Sequence, residues 1–416
     1  MITLTERSKK IIFIIFFIVF TLGTGYALYY FFFRPLAPTV QPSNPQETYG
    51  GELESGGKRG TVITALPKQT GGLPTAGQIP SASVTAPGGQ ALASNTTLLR
   101  DSVTQAVSQS TSGNIRFYNP QDGKFYMYDA EGNLIPLSAR QFYNVDNVTW
   151  GKTAQEAILE FPDGSNIYYN FDTQRQTTLP KQWEDFQFSP SESQIVAKNM
   201  GLDEDNRYLI TAKPDGNEAT ALYHMGANAN LVIPSWSPNN QVIGFSKTGT
   251  PQPDNGEQIV MLGKNHENLK ALNVAGYGFQ PNWSPNGKRI LYSVYHARDN
   301  YKPMLWVSDA YGQDIGNNRK KLNLITWADK CTWADANTIF CAVPVELPIG
   351  AGYDEKAFRA VSDDIYRIDL TTGVAKRVNS QDQKHSVTQP IISQDQKTLT
   401  FTDGSTGYLY SYKLNP

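Results

Sequence analysis

The sequence predicts an all-β chain closed into a β-propeller, with seven blades favoured and six as the alternative, behind one transmembrane helix and a disordered linker. Three observations carry this. A hairpin unit recurs about every 40 to 55 residues between 114 and 416. An apolar run without a charge occupies 11–33, and a stretch rich in Pro, Gly and Ser separates the two. Composition sets the outer limits: 36 Lys+Arg against 38 Asp+Glu leave a net charge of −2, with no long basic run to displace the counterions of nucleic acid. Twenty-two Tyr, 19 Phe and 7 Trp are too much apolar surface for a wholly disordered chain, and 2 Cys exclude a disulfide-dense scaffold.

Residues 1–10 are expected to be a cytoplasmic N-terminus. The run IIFIIFFIVFTLGTGYALYYFFF (11–33) is long enough, at about 1.5 Å per residue, to cross a hydrocarbon core of about 30 Å as a signal-anchor helix. A cleaved signal peptide would have a shorter apolar region and a small-residue site, whereas Leu28 to Phe33 stay bulky. Arg7, Lys9 and Lys10 precede the run and only Arg34 follows it closely, so the rest of the chain is expected outside the cytoplasm, in the periplasm or at the cell surface. From 34 to 113 the composition reads as a tether, with a coil span of about 50 Å. Within it TTLLRDSVTQAV (97–108) places Leu99, Val103, Ala106 and Val107 at helical spacing, so a short docking helix is one reading.

The repeats begin after it. QPNWSPNGKRILYS (280–293), IPSWSPNNQVIGFS (233–246) and FQFSPSESQIVAK (186–198) are copies of one hairpin, with weaker copies at 147–161, 330–343 and 388–402. Pro presets the second turn position, Asn or Gly takes the bend, and an alternating apolar strand returns. A second hairpin comes after each, at 207–222, 257–272, 304–315, 364–378 and more loosely 167–179, with Asp309 to Gly312 and Asp369 to Gly373 as turns. Further second-hairpin strands stand near both ends, at 124–137 and 407–414. Four strands per repeat match a propeller blade, and only a closed ring covers both apolar faces of every blade.

Here the residues resemble a known family. WSPNGKRILYS followed by LWVSDAYGQ is similar to the WD40-like propeller repeat of TolB-type periplasmic proteins, which also occurs in prolyl-oligopeptidase-type and tricorn-type propellers. The likeness covers about 114–416 and rests on Trp236, Ser237, Pro238, Trp283, Ser284, Pro285, Gly287, Asp309 and Gly312. It implies a fold far better than an activity. Where TolB proper has a small α/β domain and a cleavable signal, this chain has the tether and the apolar run.

No motif points to chemistry: there is no G-x-S-x-G elbow, phosphate loop, H-E-x-x-H or C-x-x-C. No catalytic residue, metal or cofactor is assigned. The four histidines, at 224, 266, 296 and 385, are scattered, and Asp215 and Asp309 sit where turn formation accounts for a carboxylate. Trp236, Trp283 and Trp333 recur in register, as inter-blade core does. Cys331 and Cys341 lie symmetrically about Ala336, so a hairpin turning there pairs them as a disulfide. The turns inside hairpins, such as SPNG and DAYG, are tight, whereas the connections between hairpins at 199–206, 247–256, 294–303 and 344–363 are long. The long ones should share one face, making Tyr295, His296, Arg298, Asp299, Tyr301, Tyr353, Phe358 and Arg359 the candidate binding face. Three functions stand as expectations: a non-catalytic module binding a protein or envelope polymer, a propeller-type glycan lyase or hydrolase, and a structural part of an envelope complex.

Overall fold

The computed structural model describes residues 96–414 except 130, 154 and 379–384, together with residues 20, 21, 23 and 24 and the strand pair Val84–Thr85 and Ala91–Leu92. Of the compact unit Met1–Gly72 only those four helical positions are described, and the sheets all belong to the unit Leu73–Pro416. The expected cytoplasmic N-terminus at 1–10, most of the expected anchor at 11–33 and most of the expected linker lie outside the described residues. Among the described residues no helix is long and apolar enough to cross a membrane.

Seven four-stranded antiparallel sheets succeed one another along the chain. Blades I to VI are each continuous, spanning 105–136, 147–179, 183–224, 232–274, 277–325 and 331–377. The first strands of successive blades approach one another around an axis, whereas the fourth strand of blade II, Arg175–Leu179, is largely exposed. Each pair of neighbouring blades closes a core of its own: Phe245 of blade IV meets Phe279 and Trp283 of blade V at 5.3 and 5.5 Å between ring centroids. Leu291 and Leu305 of blade V pack with Ile339 and Ile368 of blade VI.

Blade VII joins the two ends of the chain. Val387–Ile392, Thr398–Asp403 and Leu409–Lys413 supply three strands, and Thr96–Arg100 pairs antiparallel with Leu409–Lys413 as the fourth. The linker expected to run to 113 therefore ends before Thr96, and the helix considered at 97–108 is instead the two strands Thr96–Arg100 and Gln105–Gln109. Sheet pairing overrides the helical spacing because, among the described residues, these are the partners that complete blades VII and I.

The Ser of the repeat has a visible purpose. Ser110, Ser189, Ser237, Ser284 and Ser393 each accept, on their main-chain oxygen, the N–H of the third residue onward at 2.9 Å. Their hydroxyls accept an N–H from the returning strand, as from Val242 at 2.9 Å and Arg289 at 2.9 Å. The third residue onward takes positive φ, and Gly287 at 65° is additionally pressed against blade IV: a Cβ there would stand 2.6 Å from the Asn239 nitrogen. Trp283 donates its indole N–H to Ser235, and Trp333 donates to Asn282, each reaching the residue before the equivalent tryptophan of the preceding blade. Trp236 is buried and donates within its own turn to Asn240.

One turn departs from the sequence reading. Asp309 to Gly312 is not a tight hairpin: the third strand of blade V ends at Asp309 and the fourth starts only at Lys320, with a short helical turn Gly312–Asp314 between. Gly312 does take positive φ, at 56°. Asp309 is held by Asn318 at 2.6 Å and faces Arg289 at 3.6 Å.

Candidate functional site at the channel mouth

Antiparallel pairing puts the turns within hairpins on one face of the ring and the connections between hairpins on the other. The longest of the latter, 345–362 in blade VI, is closed at its base by the Val345 N–H on the Ser362 carbonyl at 2.9 Å. It folds inward. Gly350 and Gly352 donate to the carbonyls of Asn300 and Tyr301 in blade V at 2.9 and 2.8 Å, and Gly352 is needed there because a Cβ would meet Tyr295. Phe358 stacks on buried Trp327 at 6.5 Å, and the Arg359 carbonyl accepts the Ser386 hydroxyl of blade VII. One loop thus spans three blades at the mouth of the axial channel.

Two surfaces result. Tyr353 stands 4.7 Å from Tyr295 and 5.4 Å from Tyr301, an aromatic cluster whose Tyr353 ring is 61% exposed. Inward of it lies a cavity of about 570 Å³ lined by Asp146, Asp329, Lys330, Glu355, Phe358, Arg359, Gln389 and Asp403.

The electrostatics of this cavity are unusual. Asp329 is recessed among protein atoms yet open to the channel. Burial, then a hydrogen bond and charge repulsion from the Glu355 carboxyl, push it up to about 8. Glu355 also accepts from Gln280 Nε2 at 2.9 Å. Lys330 Nζ lies 2.8 Å from Asp363 Oδ2, both side chains buried, and the Val387 N–H binds the same oxygen at 2.7 Å. Burial raises Asp363 to about 6 against the opposing pull of Lys330. His385 Nδ1 stands 2.9 Å from Asp403 Oδ2. Burial pushes Asp403 up, but His385 and the Ser405 and Thr406 amides outweigh it and hold it low. Among the described residues no group of three or more His, Cys, Asp and Glu is placed to hold a metal ion.

The eight residues of the expected binding face divide. Tyr295, Tyr301, Tyr353, Phe358 and Arg359 gather at the channel mouth, whereas His296, Arg298 and Asp299 line a separate groove between blades IV and V. His296 is buried: its Nε2–H donates to the Asp254 carbonyl at 2.6 Å while Nδ1 accepts the Arg298 N–H at 2.9 Å, so it ties two loops together. Asp299 pairs with Lys321 at 2.6 Å. Sequence reasoning missed Asp329, Lys330, Asp363 and Glu355, whose only signal is the charged pair Asp329–Lys330 directly before a first strand. Cys331 and Cys341 stand opposite each other on the first two strands of blade VI and form a disulfide beside this site.

No family model and no curated protein matches the sequence. Solved structures do resemble it in fold. An oligogalacturonate lyase in complex with manganese is 13% identical, covers 77% of this chain and 93% of its own, and superposes with a TM-score of 0.53. An oligogalacturonate lyase from Vibrio parahaemolyticus is 10% identical over 76% of this chain and 93% of its own, with a TM-score of 0.51. The β-propeller domain of Cps50 (Swd1) from Myceliophteria thermophila is 10% identical, covers 77% of this chain and 100% of its own, with a TM-score of 0.50. At these identities the likeness is one of fold, the seven-bladed propeller.

Proposed function

We propose that this chain is a non-catalytic binding module of the WD40-like, TolB-type repeat class, anchored in a membrane by 11–33 and displaying its long-loop face outside the cytoplasm to a protein or envelope polymer. The observation that carries this is the Tyr295–Tyr301–Tyr353 cluster at the rim of a charged mouth. Rigid aromatics beside an Arg are the usual anchors of recognition, and the glycine contacts to the long loop hold them in place. The test is crosslinking capture from native envelopes with the full-length chain. Tyr301→Ala/Tyr353→Ala/Arg359→Ala should lower capture about tenfold or more, whereas Lys288→Ala/Glu218→Ala on the opposite face should not. The reverse pattern overturns the assignment.

A second reading has one observation of its own. The raised carboxyl of Asp329 supplies an acid near neutral pH in an open cavity, as a glycan lyase or hydrolase requires. Turnover of an acidic glycan that is lost in Asp329→Asn and kept in the tyrosine variant would favour it.

A further inference from the structure

The groove that holds His296, Arg298 and Asp299 has chemistry of its own. It runs between blades IV and V toward the rim of the ring, has a volume of about 800 Å³, and is lined by Lys270, Arg298, Arg319 and Lys321 against Asp254 and Asp299. Four cations face two carboxylates here, in a chain whose net charge is −2. Among the described residues only Lys321 of these four is matched by a carboxylate, that of Asp299 at 2.6 Å. The other three have neutral contacts: Lys270 with the Asn317 amide at 3.4 Å, Arg319 with the Asn273 carbonyl, and Arg298 with His296 Nδ1 at 3.3 Å. Each of those cations is exposed and keeps N–H groups for a ligand.

The walls are tied across the blade boundary by the Arg319–Asn273 and His296–Asp254 hydrogen bonds, so the cations are held before any ligand arrives. Between them stand the neutral amides of Gln252 and Asn273, and Trp306 on the floor, over which Arg319 stands at 5.8 Å. The indole N–H of Trp306 is buried and has no acceptor among the described residues. Guanidinium and ammonium groups match carboxylates, and amides match hydroxyls.

We propose that this groove is a binding site for an acidic polysaccharide, with Lys270, Arg298 and Arg319 taking its carboxylates and Gln252 and Asn273 its hydroxyls. The site is independent of the aromatic cluster at the channel mouth. The experiment measures binding of alginate oligosaccharides to the purified full-length chain by calorimetry, with dextran as the neutral sugar polymer and polyglutamate as the acidic polymer without hydroxyls. Alginate should bind at least about tenfold more tightly than either. Lys270→Glu/Arg298→Gln/Arg319→Gln should weaken alginate binding by about tenfold or more, and the Tyr301/Tyr353/Arg359 variant should bind it as the wild type does. If the triple variant does not fold, Arg298→Gln alone is the deciding variant, since the Arg298 side chain bonds only within its own loop among the described residues. Absence of alginate binding, wild-type binding by the charge variants, or equal binding of polyglutamate or dextran each overturns the proposal.

Discussion

Asp329 illustrates how a single residue acquires properties its sequence context does not announce. Its ordinary value is 3.8, and confinement beside Glu355 raises it to about 8 in the folded chain. Between those values the folded state holds a proton that the unfolded state does not, so this group lowers stability as pH rises from about 4 to about 8. Asp329→Asn should flatten that decline, with the gain appearing at the alkaline end, as read from melting temperatures across pH. The effect is moderated by the water that reaches the side chain. An unchanged pH profile would show that Asp329 is not raised in the folded chain. Lys330 and Asp363 differ in kind: the pair is buried, so loss of one partner strands a charge at a cost of about 3–5 kcal/mol.

At the level of elements, the strand Thr96–Arg100 is the one whose loss should matter most for its length. It contributes the fourth strand of blade VII, with Leu98 opposite Tyr410 and Thr97 opposite Ser411. Removing residues 1–101 would leave Leu409–Lys413 as an open edge and uncover Leu409 and Phe117, which pack in the core joining blades VII and I. The expected outcome is a lower melting temperature and early protease cleavage within 387–413, with cleavage in blades III to V unchanged. Equal resistance of the truncated and full-length chains would show that closure does not depend on this strand. The disulfide between Cys331 and Cys341 braces the first hairpin of blade VI, the blade that also carries the long loop. Closing so short a loop contributes about 2–3 kcal/mol in the chain-entropy account.

For the whole molecule, the ring is rigid because every blade shares a core with both neighbours, and the face proposed for binding is the one that collects the long connections. Limited proteolysis of the full-length chain should leave a resistant fragment that begins near residue 96 and keeps all seven blades, identified by mass. Cuts distributed evenly through 150–400 would contradict a closed ring.

The repeat spacing, the Ser-Pro turns and the apolar alternation sufficed to determine the propeller, because each blade is built from local hairpins whose turn chemistry lies within a few residues. The same locality made Trp283 and Gly287 legible, and it placed Tyr295, Tyr301 and Tyr353 on one face through loop length alone. What the tertiary structure decided is everything that depends on neighbours distant in sequence. The strand Thr96–Arg100 reads as part of a polar tether until its partner, some three hundred residues away, is in place. His296 and Arg298 read as companions of Tyr295 until the folding of 297–302 turns them into a different groove. Asp329 and Glu355 meet only because a loop crosses the channel mouth, and the raised Asp329 carboxyl is a property of that meeting, which no single segment of the chain encodes.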